Sequence, residues 1–347
     1  MTAKTTMSRA RVQAGITGLC LLAGPFAHAQ VDFSDPTLRP NHVRVGGRFA
    51  FDVSADLRHV GSSPAIPPHY DDGYVLPDVN GGGVTWNWGY LNEAQYQPPF
   101  VDQHVTDSAL FTGRGEDMDP LEPQPGFEIL YARDLLRVPL AERRVMLVGV
   151  EGGFTTLNAD FETRERAAGP VSYRTDRYDA GGIAVPHAPY WGSYNRPGPT
   201  LPLNPAQTLT DTPNATSDLT SQLDTLVLGF KVGGFVELPL WRQLSFRLSV
   251  GAAIMDVLTE LRYTEQIHRA GSSTLLATHS AKENDSEWLF GFYGQAALGL
   301  RFNEYLSGYV GAQFQGLSDT SIRAGAEEAT LNLDSSVELV LGLSLSF

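Results

Sequence analysis

Histidines near serines are the first residues to question, because a hydroxyl becomes a nucleophile only when a base takes its proton and an acid orients that base. The stretch "ATHSAKEN" sets His279 beside Ser280, but neighbours on a strand point to opposite faces. His268 and Ser272 share parity, with Glu265 nearby as an acid. His42, His59, His69, His104 and His187 sit at strand ends or in loops without a serine at a matching spacing. Oxygen ligands for a hard cation gather at Asp71, Asp72 and Asp78 and in "GEDMDP" (Glu116, Asp117, Asp119), none with an EF-hand spacing. "GGG" at 81 to 83 lacks the lysine and helix of a phosphate loop. The one cysteine, Cys20, precedes the expected mature chain, which removes thiolate catalysis, thiolate metal sites and disulfides. No metal and no cofactor is expected.

The elements that would position any site are strands. Lys4, Arg9 and Arg11 precede the apolar run "ITGLCLLAGPFA", and "AHA" stands before Gln30, so residues 1–29 are expected to be a signal peptide cleaved after Ala29. No later stretch has about 18 uninterrupted apolar residues, which excludes a helical membrane protein. The formal charge of −14 falls to −17 once those three cations are removed, so nucleic acid is a poor partner.

Alternation with period 2 recurs along the chain. In "SSVELVLGLSLSF" the residues Val337, Leu339, Leu341, Leu343, Leu345 and Phe347 share one face. Similar runs predict eight strands, roughly 43 to 58, 127 to 137, 145 to 160, 222 to 238, 243 to 262, 286 to 302, 305 to 317 and 330 to 347. Their connections alternate between long (59–126, 161–221, 263–285) and short ("VPLAERR", "PLWR", "NE"), placing short turns and both chain ends on one side.

An even number of long strands with tight turns at one end and long loops at the other suits a closed barrel crossing a bilayer. The chain resembles small bacterial outer-membrane β-barrels of the size class of the OmpA transmembrane domain, OmpX and OmpW, and its terminal Phe347 resembles the signal read by their insertion machinery. The "YDDGYV" and "TWNWGY" segments resemble a recurrent feature of uncharacterised outer-membrane barrel proteins. The expected fold is therefore all-β: a closed antiparallel transmembrane β-barrel over 43–347 after a periplasmic lead-in at 30–42, in a Gram-negative outer membrane. Eight strands are expected, or ten if "VTWNWGY" pairs with "SALFTG". A soluble barrel would instead turn its apolar face inward.

On this assignment Arg44, Arg48, Asp52, Glu128, Asp134, Glu151, Lys231, Glu237, Arg247, Arg301 and Glu338 face the lumen, where they would pair as a plug or set the selectivity of a narrow pore. Trp241, Trp288, Phe302, Tyr305 and Phe347 fall where headgroups favour aromatic rings. Recognition, if any, belongs to loops 59–126 and 161–221, with Tyr70, Asp71, Asp72, Tyr74, Trp86, Trp88, Tyr190, Trp191 and Tyr194 as candidates. The partners implied are the lipid bilayer, the insertion machinery and an extracellular ligand of unknown kind. The leading expectation is a non-enzymatic structural or surface-recognition barrel. A small-solute pore is the alternative, and a lipid acyl hydrolase, an activity carried by some outer-membrane barrels, is the third reading.

Overall fold

The computed structural model describes residues 39–59, 64–107, 115–118, 123–141 and 144–347. The expected signal peptide and its cleavage site lie outside these, as do the segment "SALFTG" and the side chains of "GEDMDP".

Eight antiparallel strands form a ring: β1 (Asn41–Phe51), β2 (Gln124–Ala141), β3 (Arg144–Pro170), β4 (Asn214–Pro239), β5 (Leu244–Arg269), β6 (Leu275–Arg301), β7 (Leu306–Gly316) and β8 (Ser336–Ser346). Each pairs with its neighbour in sequence, and β1 closes on β8 from His42↔Ser346 to Phe51↔Val337. The Trp88–Tyr90 strand, part of the ten-stranded alternative, joins a separate small sheet outside the ring, and its expected partner "SALFTG" lies outside the described residues.

The strands are far from equal. β3 to β6 run 26 or 27 residues each, whereas β1, β7 and β8 have 11. At about 3.4 Å per residue the four long strands reach nearly 90 Å, so they stand as a tall wall above the closed ring. This corrects the expected loops at 161–221 and 263–285, because 161–170, 214–221, 263–269 and 275–285 are strand.

Side-chain polarity inverts along that wall. In the ring, outward positions are apolar and exposed, among them Val45, Ile129, Phe230, Val250, Phe292, Val310 and Leu341. Higher up, the outward positions carry ion pairs such as Lys282 to Glu260 (2.9 Å), Arg262 to Asp224 (2.8 Å) and Arg166 to Asp218 (3.0 Å). Such exposed pairs stabilise little, but they mark a surface that meets water. Inward positions there become apolar: Leu219, Leu223, Val227, Val257, Leu261 and Tyr263 are all buried. They pack against a small sheet inside the mouth, made of Ser54–His59, Gly115–Met118, Thr320–Ala324 and Glu327–Asn332.

Above the mouth sits a cap. Phe100–Asp107 pairs with Ser172–Asp179, and Tyr190–Trp191 pairs with Trp88–Tyr90. Its own core contains Tyr70, Val75, Trp88, Tyr90, Val101, Tyr178 and Leu201. The two expected loops thus fold into one packed unit.

Candidate functional site

The lower interior holds a charge network. Lys231 Nζ bonds to Glu128 Oε2 (3.1 Å) and to Gln313 Oε1 (2.7 Å), and the Tyr309 hydroxyl donates to the other oxygen of Glu128 (3.0 Å). Arg48 grips Glu338 with two N–H groups, one at 3.0 Å, and donates to Gln315 Oε1 (3.2 Å). Gln313 also donates to Glu338 Oε2 (2.8 Å), which links the two pairs. Arg247 donates to Glu151 (2.7 Å), which also accepts from the Tyr293 hydroxyl (3.0 Å). The Arg247 guanidinium lies over the Phe235 ring at 3.5 Å, and that of Arg44 lies 4.0 Å over Tyr309.

Four cations (Arg44, Arg48, Lys231, Arg247) therefore face Glu128, Glu151 and Glu338, with half-buried Glu237 at 3.6 Å from Arg247 as the fourth anion. Balanced charge at this depth offsets the desolvation that an unpaired ion would suffer, several kcal/mol per ion by general estimates. Asp134 lies lower, between His42 (3.1 Å) and Arg137 (3.3 Å). Two expected lumen residues are corrected. Asp52 is exposed at the break after β1, where its φ of 61° ends the strand, and Arg301 is exposed at the turn end of β6.

Directly above the network lies the apolar core. A void of about 10 Å³ between Arg48, Glu338, Leu157, Met255 and Leu317 is roughly the size for one water. The expectation of a lumen filled throughout by polar side chains is thus corrected for its upper half.

The expected interface aromatics Trp241, Trp288, Phe302, Tyr305 and Phe347 are all exposed on the outside. Asp256, in register between Leu228 and Trp288, is the first charge met going up the outward face of β5, with exposed Leu226 and Leu258 paired just above it.

The loop candidates divide. Tyr70 and Trp88 are buried: Tyr70 bonds to Tyr178 (2.7 Å) and Asp176 (2.9 Å), while Trp88 packs between Tyr90 and Tyr190 and donates Nε1–H to Pro199 O (2.7 Å). Asp72 accepts from the His104 N–H (2.9 Å), and Asp78 binds the backbone at Trp86 and Asn80. Tyr74 bonds to Gly192 O and forms a stack with Trp191 at 5.8 Å. Trp191 and Tyr194 remain 57% and 59% exposed.

Asp71 belongs to an arrangement that spacing did not reveal. Its Oδ1 lies 3.5 Å from Nε2 of His279, whose Nδ1 is 3.4 Å from Glu265, which accepts from the Ser217 hydroxyl (2.6 Å). Burial disfavours charge on His279, but the two carboxylates outweigh it and push its pKa up to about 9. Ser217 bonds to the acid and not to the imidazole, so this is a clasp between cap and wall without a nucleophile–base pair. Ser280 points to the other face, and Ser272 bonds to Thr274 instead of reaching His268. A second buried set, His59 with Glu327 (3.2 Å) and Ser221 (3.1 Å from Glu327), lies within the mouth. The alternation of β4 and β5 holds the parity of Ser217, Ser221 and Glu265, but no local signal pairs them with His279 or His59.

No protein-family model and no curated protein matches the chain. Among solved structures it is similar to outer-membrane barrels. These are Ail, the attachment invasion locus protein of Yersinia pestis, in complex with a heparin analogue (9% identity, 89% of this chain and 99% of that one, TM-score 0.27) and the outer membrane protein OprG of Pseudomonas aeruginosa (10%, 89% and 96%, 0.26). The outer membrane protease OmpT of Escherichia coli is a third (9%, 92% and 99%, 0.28). With TM-scores this low the likeness adds no argument of its own, and the ring is established by its own hydrogen-bonded register.

Proposed function

We propose that this protein is an outer-membrane β-barrel with a sealed lumen, and that its role is structural or recognitional, carried without catalysis by the cap and the tall wall. The observation that carries this reading is the interior, where a paired charge network is followed by a packed apolar core. The exposed apolar zone supports the membrane location. Along β6 it runs from Trp288 to Phe302, which at a tilt of about 45° gives a height of roughly 30 Å, that of a bilayer core. Among the described loop candidates, Trp191 and Tyr194 stay more than half exposed and are open to an extracellular ligand.

The test is to refold residues 30–347, verify folding by a heat-dependent gel shift, and record current in planar bilayers. A folded, silent barrel is expected. Discrete, steady conductance altered by substitution of Lys231 or Arg247 would overturn the sealed reading and make the charges a filter.

A further inference from the structure

β6 is paired with β5 along its whole length but with β7 only from Phe292↔Gly316 down to Arg301↔Ser307. Between 282 and 288 no strand pairs with its other edge among the described residues. The direction of its backbone groups follows from its lower end. The N–H of Arg301 donates to Gln243 O, on the β5 side, and the N–H of Phe302 donates to Leu306 O, on the β7 side. Successive residues in a ladder alternate between edges, and the register shift of this pair falls between Ala277 and Leu275, above the segment in question. Lys282, Asn284, Ser286 and Trp288 therefore turn their N–H and C=O groups to the open edge. The Ser286 N–H bonds to the carboxylate of its own neighbour, Asp285 (2.8 Å).

All seven residues from Lys282 to Trp288 are exposed, although Glu283, Asp285 and Glu287 share the inward parity of buried Leu289 and Tyr293. The edge carries three carboxylates at alternate positions on its inward face, of which Glu287 accepts from the Thr320 hydroxyl of the inner sheet (2.5 Å) while Glu283 and Asp285 stand above that contact. Lys282, the one cation in the segment, is held by Glu260 (2.9 Å). An acidic row also works against pairing with a second copy of the same strand, since like charges opposed across a ladder destabilise it.

We propose that the open edge of β6, Lys282 to Trp288, accepts an extended basic polypeptide segment as an added strand. Main-chain hydrogen bonds would come from Lys282, Asn284 and Trp288 and from the C=O of Ser286, whose N–H is already held by Asp285, and alternate Lys or Arg side chains would meet Glu283, Asp285 and Glu287. This deepens the recognition reading above by naming the partner's chemistry. It rests on the wall standing clear of the membrane, yet its test is done in detergent and does not depend on conductance, so the two can fail separately.

The probe is the heptapeptide Lys-Thr-Lys-Val-Lys-Thr-Lys, compared with its Glu-for-Lys counterpart and with a version N-methylated at alternate residues, which keeps the charge but cannot complete a ladder. Binding to the folded full chain in zwitterionic detergent is read by fluorescence anisotropy. The basic peptide is expected to bind, and the acidic and N-methylated ones to bind about tenfold or more weakly. Asn284→Pro removes an N–H that faces only the open edge, and an edge strand tolerates it; it should weaken binding about tenfold, while Asn284→Ala stays within about twofold. Equal binding of the N-methylated peptide, or of the Asn284→Pro variant, would mean attraction by charge alone and would overturn the proposal. So would absence of binding by the basic peptide.

Discussion

Lys231→Met is the sharpest probe of the sealed interior. The ammonium is fully buried, 3.1 Å from Glu128, and methionine fills nearly the same volume without the charge. Its removal leaves the Glu128 carboxylate with the Tyr309 hydroxyl as its remaining direct hydrogen-bond donor, and Gln313 loses the donor to its side-chain oxygen. Breaking one member of a buried pair costs about 3 to 5 kcal/mol, because the other charge stays desolvated. With a urea dependence of about 2 kcal/mol per molar, the unfolding midpoint should fall by about 2 M. Adding Glu128→Gln removes the stranded charge, so the double variant should recover a coupling of at least about 1 kcal/mol. The assay is urea unfolding in lipid vesicles, followed by loss of the heat-dependent gel shift. A Lys231→Met midpoint displaced by less than about 0.5 M, or a double variant that merely adds the two single losses, would refute the claim that the pair is dry and mutually dependent.

Other outcomes follow from burial and charge. His279 has a folded pKa of about 9 against an ordinary value of 6.5, so its stabilising contribution is fully present below pH 6.5 and is lost as pH rises through 9. Proteolysis of the cap should accelerate over that window, with Asp71, Glu265 and Ser217 the polar groups lining the imidazole, and His279→Gln should flatten the dependence. Trp88→Ala should cost the cap about 3 to 5 kcal/mol and expose it to protease, while the barrel keeps its gel shift. Leu341→Arg, on the outward face near the centre of β8, should cost about 2 to 4 kcal/mol in vesicles; a neutral result would place that face in water and contradict the membrane reading.

The ring was legible wherever lipid-facing and inward positions contrast, as over 226 to 238, 288 to 302 and 337 to 347. Above those stretches parity continues but polarity reverses: Leu219, Leu223, Leu261 and Ile267 point in while Asp224, Glu260 and Arg262 point out. A reading that follows one apolar face stops at that reversal, so the upper wall reads as loop. The charge network was legible as a face but not as pairs. Lys231 on β4 meets Glu128 on β2 and Gln313 on β7 across the interior, a relation that no strand register encodes. The cap was harder still, because Tyr70 and Trp88 carry the same residue types as a binding surface and only packing shows that they are core.

Where the ladder is complete and where it lapses gives a reason for the membrane boundary that does not depend on hydrophobicity. In hydrocarbon an unpaired peptide group costs several kcal/mol, so every strand must be bonded on both sides; in water an open edge is tolerated, especially if charged. The β6–β7 ladder ends at Phe292↔Gly316 and the β2–β3 ladder at Gly126↔Leu157, each on the side away from the chain ends. Beyond the first of these, β6 passes Phe290 and Trp288 and then turns polar on both faces. On β6 the hydrogen bonding lapses at Phe292 and the apolar outer face ends higher, at Phe290 and Trp288, aromatic rings of the kind the headgroup region favours, where water can reach the unpaired groups. A soluble barrel would have no cause to keep these two limits close, since water satisfies an open edge at any level. The tall wall and its free edge are then permitted only above the hydrocarbon, which is where β6 offers its unpaired groups.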